Sequence, residues 1–418
     1  MTCPATERKV LATAAAIAIA GYLVLWLCVE PAVFRHSKSD FGTFYRAGRM
    51  VLAGDGQRVY DLQAESQYDD TLGTRPVDAE GNPVSLPFVF APFALAIYTP
   101  LALLPYQYAE DVWYAVNTGM LLVLPILFRR RLGIGAKTCA VAMIAPLLFL
   151  PAILALMQGQ PSVLILLLFA LGYTDLANGT DARAGCWFAL ASFKPQFVLP
   201  VVLALLLWRR RRAVYSFVLA CCGLSLLSSF MVGWRATWSY PYALMHYAGM
   251  GGRLGAEHPA SMPNLRGFLH VLLHDQTSPS TLQRITLAIS LLLLAATGLL
   301  LRRCQLSPVS FSLLLLVTLL TSFHAYLHDD CLLLLPVFLM GMTAVQSRRK
   351  ALTFSTAAAA AAIFAIPLLP TSLSTTALQT FLAIALFAGL LSIQMLDASS
   401  LRQVERGPDR RAAEMIRI

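Results

Sequence analysis

The chain has 418 residues, of which 57% are hydrophobic and 13% are charged, and its formal net charge is +10. This composition excludes an ordinary soluble domain, because a folded core cannot bury so much apolar surface. Windows of about 20 apolar residues recur, and each is long enough to cross about 30 Å of hydrocarbon. The sequence therefore predicts an all-α polytopic membrane protein. We expect no nucleic-acid partner, since the location of the basic residues explains the charge.

Long apolar runs divide the chain from one end to the other. They cover residues 10–29, 107–128, 138–156, 161–177, 184–208, 213–233, 281–301, 306–323, 331–346, 352–370 and 376–396. Because the run 184–208 is interrupted by a lysine and a proline, it is interpreted as two half-helices. The pattern predicts about 11–12 transmembrane helices in one membrane domain, residues 1–396.

Basic clusters predict the orientation, because loops rich in Lys and Arg stay on the cytoplasmic side. The clusters lie at residues 8–9, 129–137, 183, 209–212, 302–303 and 348–350, and in a basic tail at 397–418. All of them are cytoplasmic if both termini are cytoplasmic and if 184–208 enters the membrane and returns. Two long loops then lie outside, at 30–107 and 234–281. The first ends in an apolar stretch punctuated by prolines, which predicts interfacial helices.

The first chemically distinctive stretch is SDFGTFYRAG, residues 39–48, directly after the first span. A carboxylate such as Asp40, held at the membrane face with Tyr45 and other aromatic residues nearby, suits a general base that deprotonates a sugar hydroxyl. Alternatively, Asp40 simply caps the helix that follows.

Two glutamines, Gln158 and Gln160, lie in MQGQPS at an outer helix-to-helix turn. Amide groups in an apolar hairpin can hydrogen-bond a sugar or a phosphate. The structural alternative is a turn built around Gly159 and Pro161.

Lys194 lies in the middle of an apolar run, where a lysine at bilayer depth costs about 3 kcal/mol. Pro195 disfavours helical geometry at the residue before it, so the run is predicted to break there. Charged breaks at membrane depth mark substrate sites in polytopic proteins. We expect Lys194 to bind a phosphate at the membrane face. The alternative is a lysine that extends its ammonium group towards an interface.

Two further polar stretches lie on the outer side. SFHAYLHDD, residues 322–330, carries His324, His328 and Asp329. Its spacing suits a metal site or hydrogen bonds to a sugar, and a hydrated loop is the structural alternative. MPNLRG, residues 262–267, carries Asn264 and Arg266, which either bind substrate or have structural roles.

The chain resembles glycosyltransferase family 87 over about residues 10–395. The resemblance rests on the order of DFGTFY with GDGQRVYD, PFVFAPFALAIYTPLALLP, QGQPSVLILLL, AGCWFALASFKPQFVLPVVLALLLWRRRR, MPNLRG and HAYLHDDCLLLLP. That family consists of integral-membrane GT-C enzymes and includes polyprenol-phosphate-mannose-dependent α-mannosyltransferases. The resemblance implies a GT-C-like bundle, with Asp40 as the base and Lys194 as the residue that binds the donor phosphate. The remaining substrate-binding candidates are Tyr45, Gln158, Gln160, Asn264, Arg266, His324, His328 and Asp329.

The predicted activity is that of a hexosyltransferase in the inner (plasma) membrane. It would move a hexose, mannose by resemblance, from a polyprenyl-phosphate donor to a glycolipid or glycan acceptor on the extracytoplasmic face, with inversion. We expect no metal and no other cofactor, because a lysine can compensate the charge of the lipid phosphate. The alternative is a polytopic transporter or flippase for lipid-linked or polar substrates, which would also place charges at broken helices. The lack of two related halves favours the enzyme.

Overall fold

The computed structural model describes residues 5–33, 39–72, 86–250, 259–347 and 360–365, together with position 389. Within these residues every regular element is helical and no strand occurs. The predicted all-α polytopic membrane class is therefore confirmed. The tail 397–418, the apolar run 376–396 apart from position 389, and most of the run 352–370 lie outside the described residues.

Sixteen α-helices are given bounds below, and residues 360–365 of the described part are helical as well. The helices before Lys194 are α1 Ala5–Val24, α2 Glu30–Val33, α3 Phe41–Leu52, α4 Leu62–Leu72, α5 Leu95–Leu101, α6 Tyr106–Leu132, α7 Ala136–Ile144, α8 Leu150–Met157, α9 Ser162–Ala177 and α10 Asp181–Leu190. The helices after it are α11 Pro195–Leu207, α12 Arg211–Met250, α13 Leu265–Leu273, α14 Pro279–Leu301, α15 Pro308–Thr321 and α16 Leu334–Ser347. A π-helical segment, Leu25–Val29, joins α1 to α2.

Five helices in the described part are long and apolar enough to cross a membrane. They are Ala5–Val29, Tyr106–Leu132, Arg211–His246, Pro279–Leu301 and Leu327–Ala344. The other apolar helices are shorter, namely Pro92–Leu101, Ser162–Ala177, Pro195–Leu207 and Pro308–Thr321. The total of about 11–12 transmembrane helices stays a prediction.

The run 138–156 is not one straight span. Ala136–Leu148 and Leu150–Met157 meet at an angle of 65°, and Phe149 between them has extended backbone. Pro146 and Pro151 flank this residue, and neither can donate the backbone hydrogen bond that would continue a helix. The structure thus contains a second broken helix beside the predicted one.

Ion pairs gather several of the basic clusters on one side of the bundle. Arg129, at the end of α6, lies 2.6 Å from Glu7 at the start of α1. Arg131 and Arg183 lie 2.6 and 3.4 Å from Asp175 at the end of α9. We call this side the basic face. Arg129, Arg131 and Arg183 thus lie on one side of the bundle, as their positions in the sequence predicted.

The run around Lys194 is broken as predicted. After α10 come a 3₁₀ turn, Ala191–Phe193, and then Lys194 with φ −114° and ψ 80°. α11 starts at Pro195, where proline is tolerated because the first N–H of a helix has no intrahelical acceptor. Arg210, just beyond α11, lies 3.2 Å from Asp181 at the start of α10. The pair therefore enters from the basic face and returns to it.

The described parts of the two regions predicted as long outer loops contain several helices. α3, α4 and α5 all lie within 30–107. In the range 234–281, α12 continues to Met250, and the assignment of this range to an outer loop stays a prediction. The helix breaks at Gly233, whose φ of 81° lies in the left-handed region that glycine tolerates, and then resumes. α13 follows in the same range.

Candidate active site

Asp40 occupies the N-cap position of α3 but makes no capping hydrogen bond with its side chain. The side-chain hydrogen bond at the start of α3 is made by Ser39 instead, since its Oγ accepts from the N–H of Phe41 at 3.2 Å. The carboxylate of Asp40 is directed elsewhere, because Nε2 of Gln160 donates to its Oδ2 at 2.6 Å. The interpretation of Asp40 as a simple helix cap is therefore wrong.

The turn that carries the two glutamines ends α8. The N–H of Gly159 donates to the carbonyl of Leu156, and the N–H of Gln160 to that of Ala155, the pattern of a Schellman motif. Gly159 has φ 64°, and a Cβ there would lie 2.6 Å from the Cβ of Phe41. The carbonyl of Gln158 accepts from the N–H of Phe41 at 3.1 Å. This turn therefore docks the start of α3, and with it Asp40, against α8.

Lys194 forms a buried ion pair at the helix break. Its Nζ lies 2.6 Å from Oδ1 of Asp329, and only 4% of the Lys194 residue is exposed. The same oxygen accepts a hydrogen bond from Ser162 Oγ at 2.8 Å. The rings of Phe90 and Phe197 lie 5.4 and 5.9 Å from the ammonium group. Lys194 is therefore not a lysine that reaches an interface.

The HAYLHDD stretch supplies more than the partner of Lys194. Residues Leu327–Leu333 form a 3₁₀ helix in which His328, Asp329 and Asp330 are buried, so this segment is not a hydrated loop. His328 Nδ1 lies 2.9 Å from Oε1 of Gln158, on the turn described above. His324 is half-buried, and its ring meets that of Tyr326 edge-on at 5.0 Å.

Asp40 belongs to the same electrostatic cluster as the ion pair. Burial raises the pKa of Asp40 above its ordinary value, while the hydrogen bond from Gln160 and the charge of Lys194 act in the opposite direction. Asp329 and His324 also lie within electrostatic range of its carboxyl group. A carboxylate held by a hydrogen bond beside a cation, with its pKa raised by burial, has the chemistry of a general base.

The structure brings six of the predicted site residues into one cluster. They are Asp40, Gln158, Gln160, Lys194, His328 and Asp329. We call this set, together with Ser162, the polar cluster. Its residues lie in or next to α3, α8, α9, α11 and the 3₁₀ helix Leu327–Leu333, which are far apart in sequence.

Three predicted residues have contacts outside the polar cluster. The hydroxyl of Tyr45 donates to the carbonyl of Leu104 at 2.8 Å. Asn264 is the N-cap of α13, accepting from the N–H of Gly267 and donating to the carbonyl of Ser322. Arg266 donates to the carbonyl of Phe323 at 3.1 Å. Asn264 and Arg266 thus hydrogen-bond the backbone that leads into HAYLHDD. Tyr45 instead links α3 to the segment after α5 by a hydrogen bond.

Sequence reasoning did not anticipate two features of this region. The first is that Asp329 is the anionic partner of Lys194, a pairing across 135 residues that no local pattern reveals. The second is a buried cluster in which Arg46 pairs with both Glu65 and Asp69. Arg46 also donates to the carbonyl of Leu86, and Glu65 accepts from the N–H of Phe88. The presence of an arginine among aromatic residues in α3 was the one available signal.

The position of the polar cluster along the bundle follows from helix lengths. α11 has 13 residues, which corresponds to a rise of about 20 Å from the basic face to Lys194. Within the described ranges, no group of three or more His, Cys, Asp or Glu side chains is arranged to hold a metal ion.

A family model described as Glycosyltransferase family 87 matches residues 88–326, more than half of the chain. The chain belongs to glycosyltransferase family 87. Comparisons of this family-87 glycosyltransferase with curated proteins and with solved structures found no match.

The matched range of the family-87 glycosyltransferase contains Gln160 and Lys194. Asp40 precedes this range and Asp329 follows it. Each is nevertheless hydrogen-bonded to a residue inside it, Asp40 to Gln160 and Asp329 to Lys194. The two carboxylates outside the matched range thus belong physically to the polar cluster built on it.

Proposed function

We propose that this membrane glycosyltransferase transfers a hexose, mannose, from a polyprenyl-phosphate donor to a glycolipid or glycan acceptor. The observation that carries the proposal is the hydrogen bond between Gln160 and Asp40, beside the buried Lys194–Asp329 pair. These contacts offer a carboxylate for the role of base and a nearby cation for the role of phosphate partner.

The proposed reaction is a single displacement. The acceptor oxygen attacks the anomeric carbon as the bond from that carbon to the phosphate oxygen breaks, and the polyprenyl phosphate leaves with the electron pair. Asp40 takes the proton of the attacking hydroxyl. Attack opposite the leaving group inverts the anomeric carbon, by analogy with inverting glycosidases.

Lys194 is the proposed partner of the donor phosphate. An ammonium group has three N–H donors, so it can bind a phosphate oxygen while one donor stays with Asp329. A charge-assisted hydrogen bond of this kind is stronger than a neutral one, and it offsets the charge that develops on the leaving phosphate.

Gln160 has a second proposed role in binding a sugar. Its Nε2 donates to Asp40, whereas its Oε1 is buried and has no hydrogen-bond partner among the described residues. Because buried polar atoms without partners are costly, a sugar hydroxyl that donates to Oε1 would lower the free energy of the complex. Gln158, His328 and Asp329 are proposed to contribute hydrogen bonds to the substrates from the same cluster.

The proposed orientation places the polar cluster on the extracytoplasmic side of the plasma membrane, with both termini in the cytoplasm. Support comes from the basic face, which collects arginines from several loops, and from the distance of about 20 Å between that face and Lys194.

The test is a transfer assay with the purified protein in nanodiscs. Polyprenyl-phosphate [¹⁴C]mannose is offered with a membrane glycolipid extract, and label is followed into the glycolipid and glycan fraction. Nucleotide-linked mannose is offered in a parallel reaction. We expect transfer from the lipid-linked donor alone. Transfer from the nucleotide sugar alone would contradict the proposal.

A further inference from the structure

Beyond the polar cluster, α12 carries a row of exposed aromatic side chains after its break at Gly233. Trp234, Trp238 and Tyr242 are 62%, 78% and 66% exposed. Their spacing of four residues places them on one face of the helix. The guanidinium of Arg235 lies 5.5 Å from the ring of Trp234. Exposed rings of this size on one helix face are typical of a surface that contacts a membrane, a ligand or another protein.

Two helix lengths place this row at a membrane boundary. On α12, 22 residues separate Arg212 from Trp234, a rise of about 33 Å. On α6, 21 residues separate Arg129 from the exposed Tyr108, a rise of about 32 Å. Both distances are slightly longer than the thickness of a hydrocarbon layer, about 30 Å. Each span thus runs from basic residues on the basic face to an aromatic residue on the opposite side.

The opposite face of the same helical segment packs on the protein. Ala236 and Ala243 are buried, and the hydroxyl of Tyr240 lies 3.5 Å from the carbonyl of Phe193, next to Lys194. The ring of Tyr240 also packs against that of Tyr60 at 6.1 Å. The segment therefore lies over the helix break with one face and presents the aromatic row with the other.

We propose that residues 234–246 form an interfacial helix whose aromatic face binds the head-group region of the lipid bilayer, on the side opposite the basic face. Trp and Tyr favour this region because their rings are apolar while their N–H and O–H groups remain hydrated. The preceding span carries exposed apolar side chains up to the break, among them Leu219 and Phe230. The break at Gly233 lets the helix leave the spanning direction where the hydrocarbon ends.

Depth-dependent fluorescence quenching tests the proposal on the full chain in lipid vesicles. The vesicles contain phospholipids brominated either near the glycerol end or near the methyl end of the acyl chains. Because the chain has six tryptophans, the signal of the row is obtained as the difference between the wild type and the variant Trp234→Phe/Trp238→Phe. Both side chains are exposed, so the double variant is expected to fold.

We expect the difference signal to be quenched about two-fold more by bromine near the glycerol end, where interfacial indoles lie. Leu219→Trp in the double-Phe background is the matched control. Leu219 is 75% exposed and lies near the middle of the same span, so its signal should be quenched more by bromine near the methyl end. An unquenched difference signal would place the row in water or against another protein. Stronger quenching by the deep bromine would place it inside the span. Either result would overturn the proposal.

Discussion

Nε2 of Gln160 lies 2.6 Å from Oδ2 of Asp40, across 120 residues of sequence. This bond explains why Asp40 does not cap α3 although it stands at the N-cap position. A donor fixed on a carboxylate stabilises its ionised form, whereas burial destabilises that form. Gln160 therefore influences the pH at which Asp40 can act as a base.

Replacing Gln160 with leucine should move the pH dependence of transfer. Burial raises the pKa of Asp40, and the hydrogen bond from Gln160 lowers it. Loss of that bond raises the pKa further, so Asp40 becomes ionised only at higher pH. The acid limb of kcat/KM is expected to shift to higher pH in Gln160→Leu. The control is Gln158→Leu, since Gln158 contacts His328 instead. An acid limb at the wild-type position in Gln160→Leu would show that the bond does not tune Asp40.

Because Lys194 and Asp329 form a buried ion pair, a single variant of the pair should be less stable than the variant that lacks both charges. Lys194→Met alone leaves the buried carboxylate of Asp329 without its cation, which should cost about 3–5 kcal/mol of stability. Lys194→Met/Asp329→Asn removes both charges, so most of the thermal stability should return. Donor binding should stay weak in the double variant, because the phosphate still lacks a cation.

The two readouts separate a binding role of Lys194 from a purely structural one. Thermal unfolding in detergent measures the recovery of stability, and titration with polyprenyl-phosphate mannose in nanodiscs measures donor affinity. Wild-type affinity in a stable double variant would remove Lys194 from the donor site.

The Arg46 cluster predicts a pH-dependent stability. Burial raises the pKa of Glu65 to about 7, although Arg46 acts in the opposite direction. Because the folded state binds this proton more tightly than the unfolded state, the resulting stabilisation is complete below the ordinary pKa of glutamate and is lost as the pH rises through about 7. Glu65→Gln mimics the protonated group, so its unfolding temperature should exceed that of the wild type at about pH 8 and match it at about pH 5.

The control for this comparison is Asp70→Asn, which removes an exposed carboxylate from the same helix α4. It should show the same difference from the wild type at both pH values. A constant difference for Glu65→Gln as well would mean that Glu65 stays ionised across this range.

Reporter fusions test the orientation of the basic face. A fusion after residue 212 and a fusion after residue 418 should both report the cytoplasm, because α10 and α11 enter and return on the same side. A fusion after residue 246 should report the opposite side. An extracytoplasmic signal after residue 212 would contradict the orientation of the polar cluster.

The sequence was sufficient to predict the helix break, and the reason is local. Pro195 constrains the residue before it, and the arginines on either side require a return to one face, so both signals lie within a few residues. Prolines were also present at Pro146 and Pro151, within the range 138–156 that was taken as one apolar run. Because the run is apolar throughout and long enough to cross a membrane, nothing in its hydropathy indicated the bend of 65°.

The composition of the polar cluster was largely predictable, but its connections were not. Asp40, Gln160 and Lys194 stand out as polar residues beside apolar runs. That Gln160 binds Asp40 and that Asp329 neutralises Lys194 depends on helix packing, which no local pattern encodes. Asn264 has the structural role that the sequence left open, since an asparagine before a helix suits an N-cap, and its part in binding substrate stays a prediction.

The most direct measurement is the rate of transfer by Asp40→Asn, in the nanodisc assay with polyprenyl-phosphate mannose. Asparagine keeps the shape of the side chain but cannot take the proton of the acceptor hydroxyl, so transfer should fall by about 10²-fold or more. Donor affinity and unfolding temperature should remain close to those of the wild type. Transfer within a few-fold of the wild-type rate would show that another group is the base.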